Sequence, residues 1–161
     1  MGGEMTGINA KQLRQYIIRP ALNELGLWTQ EAEDLLIGTA AQESGCGHYL
    51  HQLGNGPAVG IFQMEPRSYD DLCVWISSNR KNEWTRIWTH TQQIGRDGNW
   101  PPATRMIWDL KFAAMMCRMF YLRKPGAIPS TLQGQAEYWK KYYNTAAGKG
   151  TVQEYIRNYP E

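Results

Sequence analysis

One carboxylic acid, Glu43, holds an unusual position in the amino-acid sequence. It falls on the same face of a predicted helix as an apolar repeat at steps of three and four residues. The repeat consists of Ala32, Leu36, Thr39 and Ala40. The helix is predicted to start after Thr29 and to end at Gly45, so Glu43 lies in its last turn, where carbonyl groups repel negative charge. Burial and this repulsion favour the protonated form that a general acid needs near neutral pH. A glutamate that simply reaches solvent at a helix end is the open alternative.

Two segments around and after Glu43 resemble paired motifs of a known superfamily. They are Gln42-Glu43-Ser44-Gly45 and Gly60-Ile61-Phe62-Gln63-Met64-Glu65-Pro66. They are similar to the E-S at a helix end and the G-[LI]-[MF]-Q segment of soluble lytic transglycosylases and goose-type lysozymes. The resemblance continues through Ala113 to Leu122 and Tyr143-Asn144, and together the motifs span about residues 29 to 155. The residues of the second segment are most similar to the versions of this motif that occur in phage proteins.

The resemblance implies a set of site residues, each with an ordinary structural alternative. The set is Glu43, Ser44, Gly60, Phe62, Gln63, Tyr143 and Asn144. Glu43 would protonate the leaving oxygen of a glycosidic bond and then act as a base, while Tyr143 would donate a hydrogen bond to its carboxyl group. Ser44 would orient Glu43 or the substrate, and Asn144 would support its own loop. Gln63, with the backbone around Gly60 and Phe62, would hold the N-acetyl or hydroxyl groups of the sugar.

The reaction implied is cleavage of the β-1,4 bond between N-acetylmuramic acid and N-acetylglucosamine in peptidoglycan. A glycosidase normally pairs its acid with a second carboxylate, and the nearby candidates are Glu65, Asp70 and Asp71. Lytic transglycosylases manage with one glutamate, because the acetamido group and the 6-hydroxyl of the substrate complete the reaction and give a 1,6-anhydro product. We favour this non-hydrolytic reaction. A hydrolytic muramidase is the alternative if Glu65 lines the groove, and a non-catalytic virion or glycan-binding module is another.

Metal and thiol chemistry are not favoured by the sequence. His48 and His51 stand near Glu43, but His90 is distant along the chain and there is no H-E-x-x-H motif. Cys46 lies in a glycine-rich turn that offers no positioned base. We therefore expect neither a metal nor another cofactor. With Cys73 and Cys117 the cysteines are odd in number and form no C-x-x-C pair, which indicates reduced thiols.

The elements that must hold these residues are predicted to be mainly α-helical. Length and periodicity predict a single domain over residues 1–161 with an irregular or β-hairpin loop at 45–66, and the resemblance implies that this domain is lysozyme-like. Helices are predicted at about 9–25 with a kink at Pro20, at 29–45, 66–77, 83–94, 103–123, 132–144 and 151–158, with a loop at 95–102. Gly26 and Gly45 are natural stops for the first two.

Composition limits the partners that the chain is expected to have. A formal net charge of +2 is too small to indicate nucleic-acid binding, and no run of 18 apolar residues predicts a membrane span. The stretch from Met1 to Ala10 lacks the charged and apolar regions of a secretory signal. The expected partners are peptidoglycan glycan strands, with a phage virion or a holin for delivery. We expect a protein made in the host cytoplasm that acts on the periplasmic cell wall, or one associated with the virion.

Overall fold

The structure, a computed structural model, describes residues 7–92, 100–145 and 147–160. It is mainly helical, which confirms the predicted fold class. The α-helices are α1 (Ala10–Leu13), α2 (Arg19–Leu25), α3 (Gln30–Ser44), α4 (Pro66–Asn79), α5 (Lys81–Thr91), α6 (Arg105–Trp108), α7 (Leu110–Leu122), α8 (Leu132–Trp139) and α9 (Val152–Asn158). Within the described ranges, no helix has the length and apolar character that crossing a membrane requires.

The first predicted helix is interrupted before Pro20 rather than bent at it. A π-helical turn, Arg14–Ile18, joins α1 to α2, and the backbone N–H of Arg19 donates to the carbonyl of Arg14. Proline lacks an N–H and its ring crowds the carbonyl one turn earlier, so the turn before Pro20 widens. Helix α2 ends at Gly26, whose φ of +70° lies in the left-handed region, as the predicted stop requires.

Helix α3 confirms the predicted bounds at both ends. The side chain of Thr29 accepts a hydrogen bond from the backbone N–H of Ala32 at 3.0 Å, which caps the first turn. Gly45 terminates the helix with a φ of +59°. Leu36 and Ala40 are fully buried in the core, so the predicted apolar face is the one that packs. The helix therefore fixes Glu43 at the edge of the core.

The prediction of one long helix over 103–123 is wrong, because Asp109 divides it into α6 and α7. Asp109 has a φ of −98° and a ψ of 87°, and its side chain accepts from the backbone N–H of Phe112 at 2.9 Å. A residue that caps a helix in this way leaves the helical conformation. The carboxylate of Asp109 also pairs with His90 and Arg105 at 3.0 Å each. Helix α7 then runs through the core, with Phe112 fully buried.

The long loop between α3 and α4 is irregular, as predicted. It holds a short 3₁₀ turn, Leu53–Asn55, and two isolated antiparallel bridges, from His51 to Val59 and from Val59 to Met64. In the described residues these bridges do not extend into strands. The loop ends where α4 begins at Pro66, and α4 buries the predicted face of Tyr69, Leu72, Cys73 and Ile76.

Two of the remaining predicted helices differ from the structure in their bounds. Helix α8 ends at Trp139 and continues as a π-helical turn, Lys140–Asn144. Helix α5 ends at Thr91, while the predicted end at Ile94 and the loop residues 95–99 lie outside the described ranges.

All three cysteines are free and buried, as predicted for reduced thiols.

Candidate active site

A cavity of about 480 Å³ opens beside the end of α3. Its wall includes five of the residues predicted from the sequence, namely Glu43, Gln63, Glu65, Tyr143 and Asn144. They come from the end of α3, the irregular loop, the start of α4 and the π-helical turn after α8. Residues far apart in the sequence thus meet on one surface, and a cavity of this size lies within the range of small-molecule sites.

The Glu43 carboxyl group holds its proton up to about neutral pH. The side chain is half-buried at the edge of the core. Burial raises its pKa from 4.5 to about 7, and a hydrogen bond from Trp139 opposes the rise. A carboxylic acid with this pKa is half protonated near pH 7, so it can both donate and accept a proton there.

Trp139 makes the hydrogen bond to Glu43 that was predicted for Tyr143. The indole N–H of Trp139 donates to the Oε2 of Glu43 at 2.9 Å. The hydroxyl of Tyr143 instead donates its one proton to the carbonyl of Phe62 at 2.6 Å. The π-helical turn accounts for the change, because its wider backbone rotates residue 143 away from the position that a regular helix gives it one turn after Trp139.

Trp139 was missed in the sequence although one signal pointed to it. A tryptophan one helical turn before a predicted site residue belongs on the same helix face. An indole N–H is a donor that needs an acceptor when it is buried. Trp139 is fully buried, so its N–H required a partner inside the protein.

Ser44 fastens the loop to α3 and does not face the cavity. It is fully buried, its hydroxyl donates to the carbonyl of Ile61 at 2.6 Å, and it accepts from the backbone N–H of Gly47 at 2.9 Å. A side chain buried in this way cannot touch a substrate. The part of the prediction that had Ser44 orient the substrate is therefore wrong, and its contacts are those of a residue that positions the loop beside Glu43.

The backbone groups of Gly60 and Phe62, which were predicted to hold a sugar, make hydrogen bonds that shape the loop. The carbonyl of Gly60 accepts from the Nε2 of Gln63 at 2.9 Å, and its N–H donates to the carbonyl of Leu50 at 2.8 Å. The carbonyl of Phe62 accepts a hydrogen bond from the hydroxyl of Tyr143. Gly60 has a φ of +81°, and a Cβ atom there would stand 2.7 Å from the carbonyl oxygen of Met106. Both Gly60 groups and the carbonyl of Phe62 thus make hydrogen bonds within the protein, and binding of a sugar by this backbone stays a prediction.

Gln63 and Asn144 present amide groups at the cavity wall. Gln63 uses one N–H for Gly60 and retains a second N–H and a carbonyl oxygen, which suit a partner that donates and accepts. The Oδ1 of Asn144 accepts from the ammonium of Lys140 at 2.7 Å, and the same ammonium donates to the carbonyl of Gly148 at 3.0 Å. Lys140 thereby stabilises this side of the cavity.

Glu65 is an exposed carboxylate on the same wall as Glu43. It stands directly before α4 and makes no capping hydrogen bond with its side chain. A hydrolytic glycosidase needs a second carboxylate beside its acid, and Glu65 lines the cavity, as that alternative requires.

Tyr49 also lines the cavity, and no motif in the sequence pointed to it. Its hydroxyl donates to the backbone carbonyl of Glu43 at 2.7 Å. This bond satisfies a carbonyl at the end of α3 that has no partner within the helix. Tyr49 therefore fixes the backbone from which the Glu43 side chain extends.

Neither metal binding nor thiol chemistry finds support in the geometry. Among the residues that the structure describes, no three His, Cys, Asp or Glu side chains are grouped so as to hold a metal ion. Burial raises the pKa of the Cys46 thiol to about 11, which leaves it protonated and unreactive near neutral pH.

Comparison with known proteins returns no relative. No protein-family model, curated protein or solved structure matches the chain. The interpretation of the cavity therefore depends on its own residues and on the motifs they form.

Proposed function

We propose that this protein is a peptidoglycan-cleaving glycosidase that breaks the β-1,4 bond between N-acetylmuramic acid and N-acetylglucosamine, with Glu43 as acid and base. The observation that carries the proposal is a half-buried carboxyl group, with its pKa raised to about 7, in the wall of a cavity of about 480 Å³. The resemblance of the Glu43 and Gln63 segments to lytic transglycosylases supports the choice of substrate.

The proposed reaction uses Glu43 twice. In the first step its carboxyl group gives a proton to the glycosidic oxygen as that bond breaks. In the second step the resulting carboxylate removes a proton from the 6-hydroxyl of the muramic acid, whose oxygen attacks the anomeric carbon. The product is a 1,6-anhydro sugar, and Glu43 ends the cycle protonated. The amides of Gln63 and Asn144 are the groups on the wall suited to the N-acetyl and hydroxyl groups of the glycan.

A zymogram on purified cell wall tests the catalytic part of the proposal. We expect clearing by the wild type and none by Glu43→Gln, which keeps the shape and the acceptor oxygen of the side chain but cannot donate an acidic proton. Glu137→Gln makes the same chemical change at an exposed position on α8 outside the cavity, so it is the matched control and should clear like the wild type. Full clearing by Glu43→Gln would remove Glu43 from the mechanism.

Hydrolysis is a second candidate because Glu65 lies on the same cavity wall. A carboxylate there would act as base for a water molecule, as in a lysozyme. Mass spectrometry of digested peptidoglycan separates the two reactions, since the anhydro product is lighter than the hydrolytic product by one water. Products that carry reducing-end muramic acid without anhydro sugar would overturn the transglycosylase assignment in favour of hydrolysis, and loss of that hydrolysis in Glu65→Gln would then identify Glu65 as the base.

The proposed setting is phage lysis or penetration of the cell wall, with a holin or the virion delivering the protein to the periplasm. The basis for this setting is that the residues of the loop segment resemble the versions of the motif that occur in phage proteins. A wild-type protein that binds glycan strands but never clears the zymogram would instead identify the chain as a non-catalytic module.

A further inference from the structure

We propose that Trp139 is the positioning residue of this site, and that its indole N–H, bound to Oε2, favours the Glu43 proton on Oε1, the other carboxyl oxygen. The inference deepens the proposed function of the same site and depends on it for its catalytic consequence. It starts from the contact of 2.9 Å between the indole nitrogen and the Oε2 of Glu43.

The argument depends on what an indole can do. Its N–H donates a hydrogen bond and has no lone pair with which to accept one. A protonated carboxyl group offers a carbonyl oxygen and a hydroxyl oxygen, and the carbonyl oxygen is the better acceptor. The bond from Trp139 to Oε2 therefore favours the form with the carbonyl oxygen at Oε2 and the hydroxyl at Oε1. A tyrosine in this place would favour neither form, because a phenol oxygen can donate to the carbonyl oxygen or accept from the hydroxyl.

The indole ring is held in its orientation on more than one side. Trp139 is fully buried, and its ring centroid lies 5.3 Å from that of Tyr155 on α9. At Gly150 a Cβ atom would stand only 2.6 Å from the Cη2 of the indole, so the glycine allows the chain to pass closely over the ring. A donor fixed in this way keeps its direction when the carboxyl group gains or loses a proton.

The test below compares the wild type with a variant at Trp139, and the other ionisable groups near Glu43 are the same in both proteins. They are Tyr49 from the loop, Glu65 before α4, Cys117 from α7, Lys140 and Tyr143 from the turn after α8, and Glu154 from α9 beside Gln42. Burial raises the pKa of Tyr49, Cys117 and Tyr143, so they are neutral near pH 7. Lys140 is bound to Asn144 and Gly148. None of these groups is altered when the indole N–H is removed.

The test replaces Trp139 with benzothienylalanine, in which sulfur takes the place of the N–H while the ring keeps its size. Glu43 is then titrated by NMR of its side-chain carboxyl carbon. A hydrogen bond to an ionised acceptor is stronger than one to a neutral acceptor, so its loss should raise the pKa of Glu43 by about 1 pH unit. Trp139→Phe should give the same direction, and circular dichroism verifies that both variants are folded.

Trp28 offers a matched control. Its indole N–H donates to the Oε1 of Glu33 at 3.0 Å, at the other end of α3. Benzothienylalanine at Trp28 should leave the titration of Glu43 unchanged, and so should Tyr143→Phe. In the wild type, the indole N–H resonance of Trp139 should follow the titration of Glu43 without any substitution.

An unchanged titration of Glu43 in the Trp139 variant, or a shift caused by Tyr143→Phe, would overturn the inference. These titrations do not need catalysis, so a wild type that fails to cleave peptidoglycan would refute the proposed function alone. In an active protein, the alkaline limb of the kcat/KM profile should move to higher pH in the Trp139 variant by the same amount as the pKa, because the acid must be protonated.

Discussion

The substitution Glu43→Gln should stabilise the folded protein at neutral and alkaline pH. The carboxyl group has a pKa of about 7 in the folded protein against an ordinary value of 4.5. A raised pKa means that the folded state binds the proton more tightly than the unfolded chain does. Stability is therefore complete below pH 4.5 and is lost as pH rises toward 7. Glutamine has the shape of the protonated acid and still accepts from Trp139, so it avoids this loss.

The size of the effect follows from the two pKa values. The difference between 4.5 and about 7 corresponds to about 3 kcal/mol of unfolding free energy at pH 8. At pH 6 the linkage relation gives about 2 kcal/mol, and at pH 4 it gives almost nothing. The half-buried side chain retains some contact with solvent, so these values are upper bounds.

Urea denaturation of the two proteins at pH 4, 6 and 8 measures this difference directly. Glu65→Gln is the matched control, because it makes the same chemical change at an exposed carboxyl group on the same cavity. Exposed substitutions usually change stability by less than about 0.5 kcal/mol, and we expect a change of this size in the control. Equal stability of Glu43→Gln and the wild type at pH 8 would refute the burial of the carboxyl group as the cause of its raised pKa.

Two further substitutions test the supports of the site. Ser44→Ala leaves the buried carbonyl of Ile61 without its donor, so urea denaturation should show a loss of about 1 to 3 kcal/mol; unchanged stability would contradict the role of Ser44 in fastening the loop. Glu33→Gln weakens the ion pairs between the buried Glu33 carboxylate and the partly exposed Arg14 and Arg19, and should lower the unfolding free energy at pH 7 by at most about 3 kcal/mol, since solvent screens the arginines. Because the pKa of Glu33 is lowered to about 2, denaturation of the wild type should show this advantage disappearing between pH 4.5 and 2, and an advantage that persists below pH 2 would contradict the assignment.

The features that the sequence predicted well are those set by neighbouring residues. Thr29 and Gly45 mark the ends of α3 because a cap acts within one turn of the chain. The apolar repeat then fixes which face is buried and carries Glu43 to the edge of the core. For the same local reason, the segment around Gln63 was recognisable as an irregular loop that carries site residues.

The features that were missed depend on contacts between distant parts of the chain. Asp109 reads as an ordinary surface position of a long helix, but its partner His90 comes from α5 and fixes it as a cap. Trp139 and Glu43 are separated by 96 residues, so the local signal at Trp139 could mark it as a site residue but could not identify Glu43 as the acceptor of its N–H. The π-helical turn that redirects Tyr143 also leaves no periodic signal in so short a segment.

The two ends of α3 show what decides the protonation of a buried glutamate in this protein. Glu33 and Glu43 each accept one indole N–H, from Trp28 and Trp139. Burial favours the protonated form of both, yet the pKa of Glu33 is lowered to about 2 and that of Glu43 is raised to about 7. The indole bond is common to both, so it cannot account for the difference.

What differs is the charge around each carboxyl group. Glu33 is bound by the guanidinium groups of Arg14 and Arg19, and it lies in the first turn of the helix, where the dipole favours an anion. Among the described residues no arginine or lysine is hydrogen-bonded to Glu43, which lies in the last turn, where the dipole opposes an anion. A single neutral donor such as Trp139 can therefore orient the Glu43 carboxyl group without lowering its pKa far enough to remove the proton. An acid that donates a proton into the cavity needs both a fixed orientation and a retained proton.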